Sequence, residues 1–329
     1  MYVVGCEVSK KRLDCALLLS SEPLKLRSKA LVNHQPGCLA LIEWACRQAR
    51  CAVAQLHVVM EATGVYHEAA AYALTQAGVK VSVVNPARVR EFARSLAVRT
   101  KTDASDSVIL ARYGASIKPP LWQPPAPEIV ELKALLSRLQ AVETDLQREA
   151  NRLEKAQISL TPQTVLDSLH KSLAFLRQEK AALEQRIDDH IEGHPQLKHD
   201  RGLLESIPAI GRKTARRMLC VLHSRGFRKA SAVAAYLGLI PVRHESGSSV
   251  HRPPHLSKAG DASMRAALYM VAVVATRHNP DIRLHYERLR ANGKSKMSAL
   301  CAAMRKLVHI CFGVIKNQQL YQPRSADTA

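Results

Sequence analysis

Four acidic residues in the first third of the chain are placed where they could bind a metal ion together. Glu7 and Glu61 each close a short apolar run of the length of a buried strand. Asp103 and Asp106 are three residues apart, a spacing that puts both carboxylates on one face of a helix. Carboxylates converge when they share a cation, because unpaired like charges side by side are costly. Such groups hold hard divalent ions, and Mg²⁺ pairs promote in-line displacement at phosphorus.

The segments that carry these acids alternate between strands and helices up to about residue 116. Predicted strands cover residues 3–7, 13–19, 25–32, 56–60 and 80–84. Predicted helices lie near 37–47, 65–77, 87–96 and 103–115. Three early strands followed by strand, helix, strand and helices indicate an α/β domain with a mixed sheet.

The charge of the chain favours a polyanionic partner. Lys and Arg number 48 against 28 Asp and Glu, a net charge of +20. From Arg201 onward there are 22 Lys and Arg against 6 Asp and Glu, so +16 of that charge lies in the last 129 residues. Binding to nucleic acid should therefore weaken steeply with salt. A merely soluble basic surface is the alternative.

Other classes of protein receive little support. No stretch is predicted to have the length of a transmembrane helix, and no signal peptide opens the chain. The eight cysteines include no Cys-x-x-Cys pair, which favours buried thiols of a reducing cytosol over disulfides or a zinc site. A Walker phosphate loop and a dinucleotide fingerprint are both missing, so ATP- or NAD-dependent chemistry is not indicated.

The middle of the chain predicts a stiff linker followed by paired helices. Prolines at 119, 120, 124, 125 and 127 mark the clearest boundary. Leucines then repeat every seven residues at 132, 139, 146 and 153, and a second apolar seam runs from Leu166 to Ile187. The heptads predict self-association; an intramolecular helical hairpin carries nearly equal weight. The predicted division is an α/β domain at 1–118, linker and coiled coil at 119–200, and a basic, mostly helical domain at 201–329.

Residues 207–215 read as a turn between two helices that could bind a phosphate. Ile207-Pro208-Ala209-Ile210-Gly211 is similar to the helix-hairpin-helix motif that contacts DNA backbones, with Ala209 where glycine is common. An ordinary helix–helix turn is the alternative. The candidate nucleic-acid-binding residues of the chain are Lys101, Gly211, Arg212, Lys213, Arg243, Arg252, Lys258 and Arg265.

A Ser/Gly-rich stretch at 244–249 lies in the one long segment of the last domain that is predicted not to be helical. Such stretches are usually turns, and serine is a poor nucleophile unless a base or a metal lies close. Basic neighbours strengthen the case for a catalytic serine only slightly. No single base for its proton is identifiable from the sequence.

The order of these motifs resembles the IS-one-ten family of insertion-sequence transposases, also called bridge-RNA-guided recombinases. The resemblance covers nearly the whole chain, and the combination is specific although each motif alone is weak. It is carried by Val4-Gly5-Cys6-Glu7-Val8-Ser9-Lys10, Met60-Glu61-Ala62-Thr63-Gly64, Asn85-Pro86, Lys101-Thr102-Asp103 with Asp106, Ile207-Pro208-Ala209-Ile210-Gly211, Gly238-Leu239-Ile240-Pro241, Glu245-Ser246-Gly247-Ser248-Ser249 and Ser257-Lys258-Ala259-Gly260.

The resemblance implies a fold and a mechanism. The first domain would be RNase H-like (RuvC-like), with Glu7, Glu61, Asp103 and Asp106 as Mg²⁺ ligands. Ser246 would attack a DNA phosphate and form a covalent phosphoserine link. A structured guide RNA would pair with donor and target DNA, and strand exchange would pass through a Holliday junction. The serine domain of one protomer would meet the acidic domain of another in a dimer or tetramer in the bacterial cytoplasm, on the nucleoid when bound to DNA.

One departure from the family pattern concerns the first acid, because the family has aspartate where this chain has Glu7. The extra methylene displaces the carboxylate, and octahedral Mg²⁺ tolerates misplacement poorly. The metal geometry adapts, or Glu7 binds through water, or Asp14 compensates. Two rival functions stay open: a RuvC-like Holliday-junction nuclease that makes no covalent link, and a non-catalytic nucleic-acid-binding scaffold.

Overall fold

A computed structural model describes residues 1–62, 64–96, 102–246, 250–257 and 259–323 of the chain, with the backbone alone for residues 243–246 and 250–254. These residues form two compact units, Met1–Pro124 and Pro125–Ala329. Thr63, Lys101 and Lys258 lie outside the described residues, as does the stretch 247–249.

The first unit is built on a five-stranded mixed sheet, which confirms the predicted α/β class. Its strands are β1 (Tyr2–Val8), β2 (Arg12–Ser21), β3 (Leu24–Val32), β4 (Leu56–Glu61) and β5 (Lys80–Val84). Their order across the sheet is β3-β2-β1-β4-β5. The strand β2 runs antiparallel to β1 and β3, whereas β4 and β5 run parallel to β1. The carboxyl ends of β1, β4 and β5 therefore lie at one edge of the sheet.

Helices cover both faces of this sheet, at close to the predicted positions. They are α1 (Gln35–Ala49), α2 (Tyr66–Gln76), α3 (Pro86–Ser95) and α4 (Asp103–Ile117). Apolar side chains of α1 and α2 share a core with those of β1, β2 and β4. On the opposite face, α3 and α4 pack against Val3, Val59 and Val84.

A glycine in β1 lets α4 lie directly on the sheet. A Cβ atom added at Gly5 would be 2.0 Å from the carbonyl oxygen of Ser107 and 2.3 Å from the amide nitrogen of Ala111. Further along α4, a Cβ atom at Gly114 would be 2.6 Å from Val59 Cγ2 and 2.7 Å from Val3 Cγ1. Any larger residue at Gly5 would clash with backbone atoms, so helix and strand can approach this closely only with glycine there.

The start of the proline-rich linker is held against the first unit. The hydroxyl of Ser82 donates to the carbonyl of Pro120 at 2.9 Å, and His57 Nε2 lies 2.8 Å from the same hydroxyl. The amide of Trp122 donates to the carbonyl of Val81 at 2.7 Å. The Trp122 ring also makes an edge-to-face contact with Tyr72, at 5.0 Å between ring centroids. These contacts extend the first unit to residue 124, past the predicted boundary at 118.

The second unit is mostly helical, as predicted, with one two-stranded hairpin. Its elements are α5 (Pro127–Ile158), α6 (Gln163–Glu192), α7 (Pro195–Glu205), α8 (Arg212–His223), α9 (Ala230–Tyr236), β6 (Pro241–Ser246), β7 (Val250–Leu256), α10 (Ala262–His278), α11 (Pro280–Ala291) and α12 (Lys296–Asn317). The two strands are antiparallel and pair Ser246 with Val250.

The heptad helices α5 and α6 pack along one another within the chain. Ile129, Leu132, Leu183 and Ile187 are buried in the same core as side chains of α7 to α12. Large apolar residues at the other end of this helical pair are exposed, among them Ile158, Leu160, Val165 and Phe175. The intramolecular alternative is thus confirmed for the buried half of the pair, and self-association through the exposed half stays a prediction.

The helix α12 corrects the expectation that no stretch has the length of a transmembrane segment. By length and composition alone this 22-residue helix is apolar enough to cross a membrane. Its apolar side is occupied within the second unit, because Leu307, Val308 and Cys311 are fully buried in the core. Part of the hydrophobicity of α12 therefore serves packing within the second unit.

Candidate catalytic and nucleic-acid-binding sites

Glu7 and Glu61 lie side by side at one edge of the first sheet. The parallel pairing of β1 with β4 places Cys6 opposite Met60, so the two glutamates follow on neighbouring strands. Side chains alternate along a strand, so Glu7 is on the face of Gly5 and Glu61 on the face of Val59. Both of these positions pack against α4. The two carboxylates therefore share an edge and a face of the sheet.

The helix α4 brings its two aspartates to the same edge. Its residue Ser107 lies over Gly5, whereas Gly114 lies over Val3, so the helix runs opposite to β1 and begins near the carboxyl end of that strand. The hydroxyl of Thr102 accepts from the amide of Ser105 at 3.1 Å and caps the helix. Asp103 and Asp106 occupy the first turn, where the helix dipole favours negative charge.

Asp14 is a fifth carboxylate beside this group. It is paired directly with Glu7 in the antiparallel register of β1 and β2, so both side chains are on the same face. Asp14 is buried and forms a 2.7 Å ion pair with Arg12. The pKa of the neighbouring Cys6 thiol is raised by its hydrogen bond with Cys15, by burial and by negative charge that includes Glu7 and Asp14. Cys6 is therefore a protonated, buried thiol and a poor nucleophile.

The chemistry of these side chains fits a hard divalent cation. Four carboxylates from two strand ends and one helix turn offer the oxygen ligands that Mg²⁺ prefers. Among the described residues, however, no three His, Cys, Asp or Glu side chains are already arranged as a metal-binding group. Glu7, Glu61, Asp103 and Asp106 are thus brought to one edge of the sheet, and their binding of a metal stays a prediction.

Ser246 is the last residue of β6, which corrects its placement in a loop. The hairpin β6–β7 begins at Pro241 and pairs Glu245 with His251 before Ser246 meets Val250. The residues between the two strands, 247–249, lie outside the described part of the chain. Arg243 and Arg252 are on the two strands of this hairpin. The structure thus places the backbone of Ser246 at the end of a strand, and its role as a nucleophile stays a prediction.

The turn predicted as a helix-hairpin-helix motif lies between α7 and α8, and its assignment to that motif stays a prediction. Ala209 has a positive φ of 80°, a conformation that favours glycine. Gly211 precedes α8 in an extended conformation and offers no side chain to cap the helix, so the first amides of α8 are left for other acceptors. The buried Asn279 donates to the carbonyl of Pro208 at 3.4 Å, and the amide of Tyr321 donates to Ser206 Oγ at 2.9 Å. Both contacts fix the shape of the turn.

Replacing Ala209 with glycine should stabilise the protein by about 1 kcal/mol, because a left-handed alanine is strained. The measurement is the free energy of unfolding in urea, followed by the loss of helical signal in far-ultraviolet circular dichroism. Alanine at Gly211, which has an ordinary φ of −87°, serves as the comparison. Equal stabilities for the wild type and the Ala209→Gly variant would show that the turn does not strain Ala209.

Three of the predicted nucleic-acid contacts already have partners inside the second unit. Arg212 lies 3.2 Å from the Asp188 carboxylate, and Lys213 lies 2.6 Å from Glu143. Both cations are more than half exposed and keep a solvent-facing side. Arg265 donates to the carbonyls of Ala259 and Gly260, each at 3.0 Å, and so closes the loop before α10.

Sequence reasoning missed Asn33, which joins the loops at the carboxylate edge. Its side-chain amide donates to the carbonyls of Ser9 at 2.9 Å and Tyr66 at 3.1 Å. These contacts span 24 and 33 residues of sequence. No local pattern signals such a bridge, because an asparagine at the end of a strand is also an ordinary turn residue.

Comparison with known proteins agrees with this architecture. A family model described as "Transposase IS116/IS110/IS902 family" matches residues 201–287, and a DEDD transposase model of IS110 matches residues 4–160. The pilin gene-inverting proteins of Moraxella bovis and Moraxella lacunata are each 32% identical over 323 residues, covering 98% of both chains. An uncharacterized 43.6 kDa protein of insertion element IS110 from Streptomyces coelicolor is 30% identical over 49% of this chain and 38% of its own length.

A solved structure is also similar to part of the chain. The structure described as T. thermophilus RuvC in complex with Holliday junction substrate overlaps 36% of this chain and 96% of its own, with 14% identity and a TM-score of 0.28. The family assignment rests on the sequence relatives, which extend over nearly the full length of the chain. By that match and by the family models over both units, the chain belongs to the IS110 family of transposases.

Proposed function

We propose that this transposase catalyses RNA-guided cleavage and exchange of DNA strands, with Ser246 as nucleophile and a RuvC-like carboxylate group as the Mg²⁺ site. The observation that carries the proposal is the placement of Glu7, Glu61, Asp103 and Asp106 at one edge of the first sheet. Four neighbouring carboxylates do not stabilise the fold, because their negative charges repel one another. Phosphodiester chemistry supplies the reason for them.

The covalent step is a transesterification at a DNA phosphate. The Ser246 hydroxyl gives up its proton as the Oγ–phosphorus bond forms, the bond from phosphorus to one DNA sugar oxygen breaks, and that oxygen takes up a proton in its place. The DNA end is held as a phosphoserine, so its bond energy is kept for rejoining to another strand. Mg²⁺ bound by the carboxylates would supply charge stabilisation to the phosphate as its negative charge grows. Attack in the reverse direction by a DNA hydroxyl releases the serine and completes the exchange.

The partners proposed are donor and target DNA and a structured non-coding guide RNA. The charge of +16 after Arg201 supports a polyanion on the second unit. Within that unit, the start of α8 after Gly211 has amides that no side chain caps, and Arg212 and Lys213 add positive charge. Phosphate contacts of this kind hold a nucleic acid without reading its sequence, so sequence choice is left to base pairing with the guide.

A homo-oligomer is part of the proposal: the serine and the carboxylates are on separate compact units, so different copies can each contribute one of them to a shared site. The exposed apolar residues Ile158, Leu160, Val165 and Phe175 are candidates for contacts between copies. We propose that Ser246 of one copy acts with the carboxylates of another. The assembly is a dimer or tetramer.

Replacing Ser246 with alanine should abolish the covalent protein–DNA adduct. The measurement is denaturing electrophoresis of a labelled DNA substrate with the protein, a candidate flanking RNA and Mg²⁺. A RuvC-like nuclease uses water and would keep cutting without an adduct, so continued cleavage by Ser246→Ala would favour that rival. Serine at 248 or 249 replaced by alanine is the matched control, since both lie in the same short stretch.

Mixing two inactive variants tests the shared site directly. Ser246→Ala keeps the carboxylates, and Glu61→Gln keeps the serine. If one copy supplies the serine and another the acids, the mixture should recover adduct formation that neither variant shows alone. Recovery near a quarter to a half of wild-type activity is expected from random pairing, on the order of the share of mixed dimers. No recovery would place both functions in one copy.

A further inference from the structure

Three loops meet at the edge of the sheet that carries the carboxylates. The turn after β1 holds Ser9 and Lys11, the segment after β3 holds Asn33, and the loop after β4 leads into Tyr66. The backbone N–H of Asn33 donates to the carbonyl of Lys11 at 3.0 Å. Its side chain donates to the carbonyls of Ser9 at 2.9 Å and Tyr66 at 3.1 Å. Asn33 therefore ties the loop that follows Glu61 to the turn that follows Glu7.

This tie leaves an aromatic ring at the surface beside the acids. Tyr66 is 45% exposed and the preceding Val65 is 68% exposed. Gly64 turns the chain here with a positive φ of 60°, three residues after Glu61. Other tyrosines of the same unit are packed: Tyr72 against Trp122 and Tyr113 against Phe92. Tyr66 thus has a free area of ring that the core does not use.

Two exposed lysines, Lys10 and Lys11, lie in the turn that Asn33 joins to Tyr66. An exposed aromatic ring joined to a turn with exposed lysines suits a nucleic-acid strand, because bases can stack on the ring while phosphates meet the lysines. A protein partner would bury apolar surface, and these lysines would then lose hydration without gaining an anion. The chemistry of the edge favours an unpaired strand.

We propose that Tyr66 is a stacking platform for an unpaired DNA base next to the scissile phosphate, and that Asn33 is the positioning residue that holds this platform beside the carboxylates. The inference rests on the proposed function, since it assigns a role in substrate placement at the same site. Stacking a neighbouring base fixes the strand along its axis, so one phosphate is presented to the acidic edge. Stacking needs no particular base, which suits an enzyme whose sequence choice comes from a guide.

The test is binding of a thymidine oligonucleotide that carries one 2-aminopurine, whose fluorescence falls when it stacks. The full-length chain is used with Glu61→Gln in the background, so that the strand is not cut during titration. Tyr66→Ala should weaken binding about 5- to 100-fold and restore the fluorescence, as expected from the loss of one stacked base. Tyr66→Phe should keep both quenching and affinity, because the ring remains.

Two further variants separate stacking from general damage. Leu39→Ala removes a 50% exposed apolar side chain on α1 and should leave quenching unchanged. Asn33→Ala should reduce quenching more than affinity, since Tyr66 is still present but no longer held. Circular dichroism melting of each variant shows whether it is folded, and only folded variants are compared.

The outcomes distinguish this inference from the function on which it rests. A wild-type chain that cleaves DNA, together with a Tyr66→Ala variant that quenches equally well, overturns the stacking platform and leaves the proposed function standing. Equal losses for Tyr66→Ala and Tyr66→Phe would assign the effect to the hydroxyl and also overturn it. A chain that never binds or cleaves DNA overturns the proposed function and this inference together.

Discussion

Replacing Glu61 with glutamine should reduce DNA strand cleavage roughly 10³-fold, which corresponds to about 4 kcal/mol of transition-state stabilisation. Glu61 ends β4 beside Glu7, on the sheet face that α4 covers. Glutamine keeps the size of the side chain but removes the charge and replaces one oxygen by a donor that repels a cation. The half-buried position tolerates an isosteric change, so the fold should be retained.

The measurement for Glu61 is single-turnover cleavage of a labelled substrate with saturating protein and Mg²⁺. Glu43→Gln is the matched control, because Glu43 is an exposed carboxylate on α1 and is not at the acidic edge. Glu7→Asp should keep cleavage within about tenfold, since it restores the family's shorter acid. A non-catalytic scaffold would show no metal-dependent cleavage in any of these chains. Chelation of divalent ions should reduce DNA cleavage by the wild type at least as much as the Glu61→Gln substitution does.

Replacing Asp188 with alanine should destabilise the second unit by about 3–5 kcal/mol. Asp188 is 8% exposed, lies 3.2 Å from Arg212 and forms a short ion pair with Arg216, which is 7% exposed. Arg201 approaches its other oxygen at 3.8 Å. Removing the carboxylate leaves a buried guanidinium without its anion, and that uncompensated charge is the source of the loss. The melting temperature of a unit of this size should fall by about 6–20 °C.

The control for the Asp188 substitution is the same change in a solvent-exposed ion pair. Asp145 and Arg148 are 3.4 Å apart and both are more than half exposed, so Asp145→Ala should cost well under about 1 kcal/mol. A double variant that also changes Arg216 to methionine should recover part of the stability lost in Asp188→Ala, because the buried charge is then gone. Similar melting temperatures for Asp188→Ala and Asp145→Ala would contradict the importance of the buried network.

Local patterns in the sequence predicted most elements of the fold. The apolar runs that end at Glu7 and Glu61 are strands β1 and β4, and the helix predicted from Asp103 begins at that residue. The strands predicted at residues 13–19, 25–32 and 80–84 are confirmed as β2, β3 and β5. These signals depend on side-chain period and on turn residues within a few positions, and such local preferences survive folding. The catalytic roles of these residues stay predictions.

The contacts between distant segments required the tertiary structure. Heptad spacing predicted that α5 and α6 pack against another helix, either of the same chain or of a second copy. Only the fold showed that their buried half packs within the chain. Arg212, Lys213 and Arg265 read as cations for a nucleic acid, yet each also has an internal partner. Apolar periodicity and net charge indicate which side chains need a partner. They do not indicate which residue of the folded chain will be that partner.

The sequence by itself determined the α/β first unit, the helical second unit and the acids at the ends of their elements. Tertiary structure alone decided that Gly5 lets α4 reach the edge of the sheet, that Asp14 stands opposite Glu7, and that Asn33 joins two loops. The physical reason is that periodicity depends on residues that are neighbours in the sequence. A site depends instead on strand register and close packing between residues that are distant in the sequence.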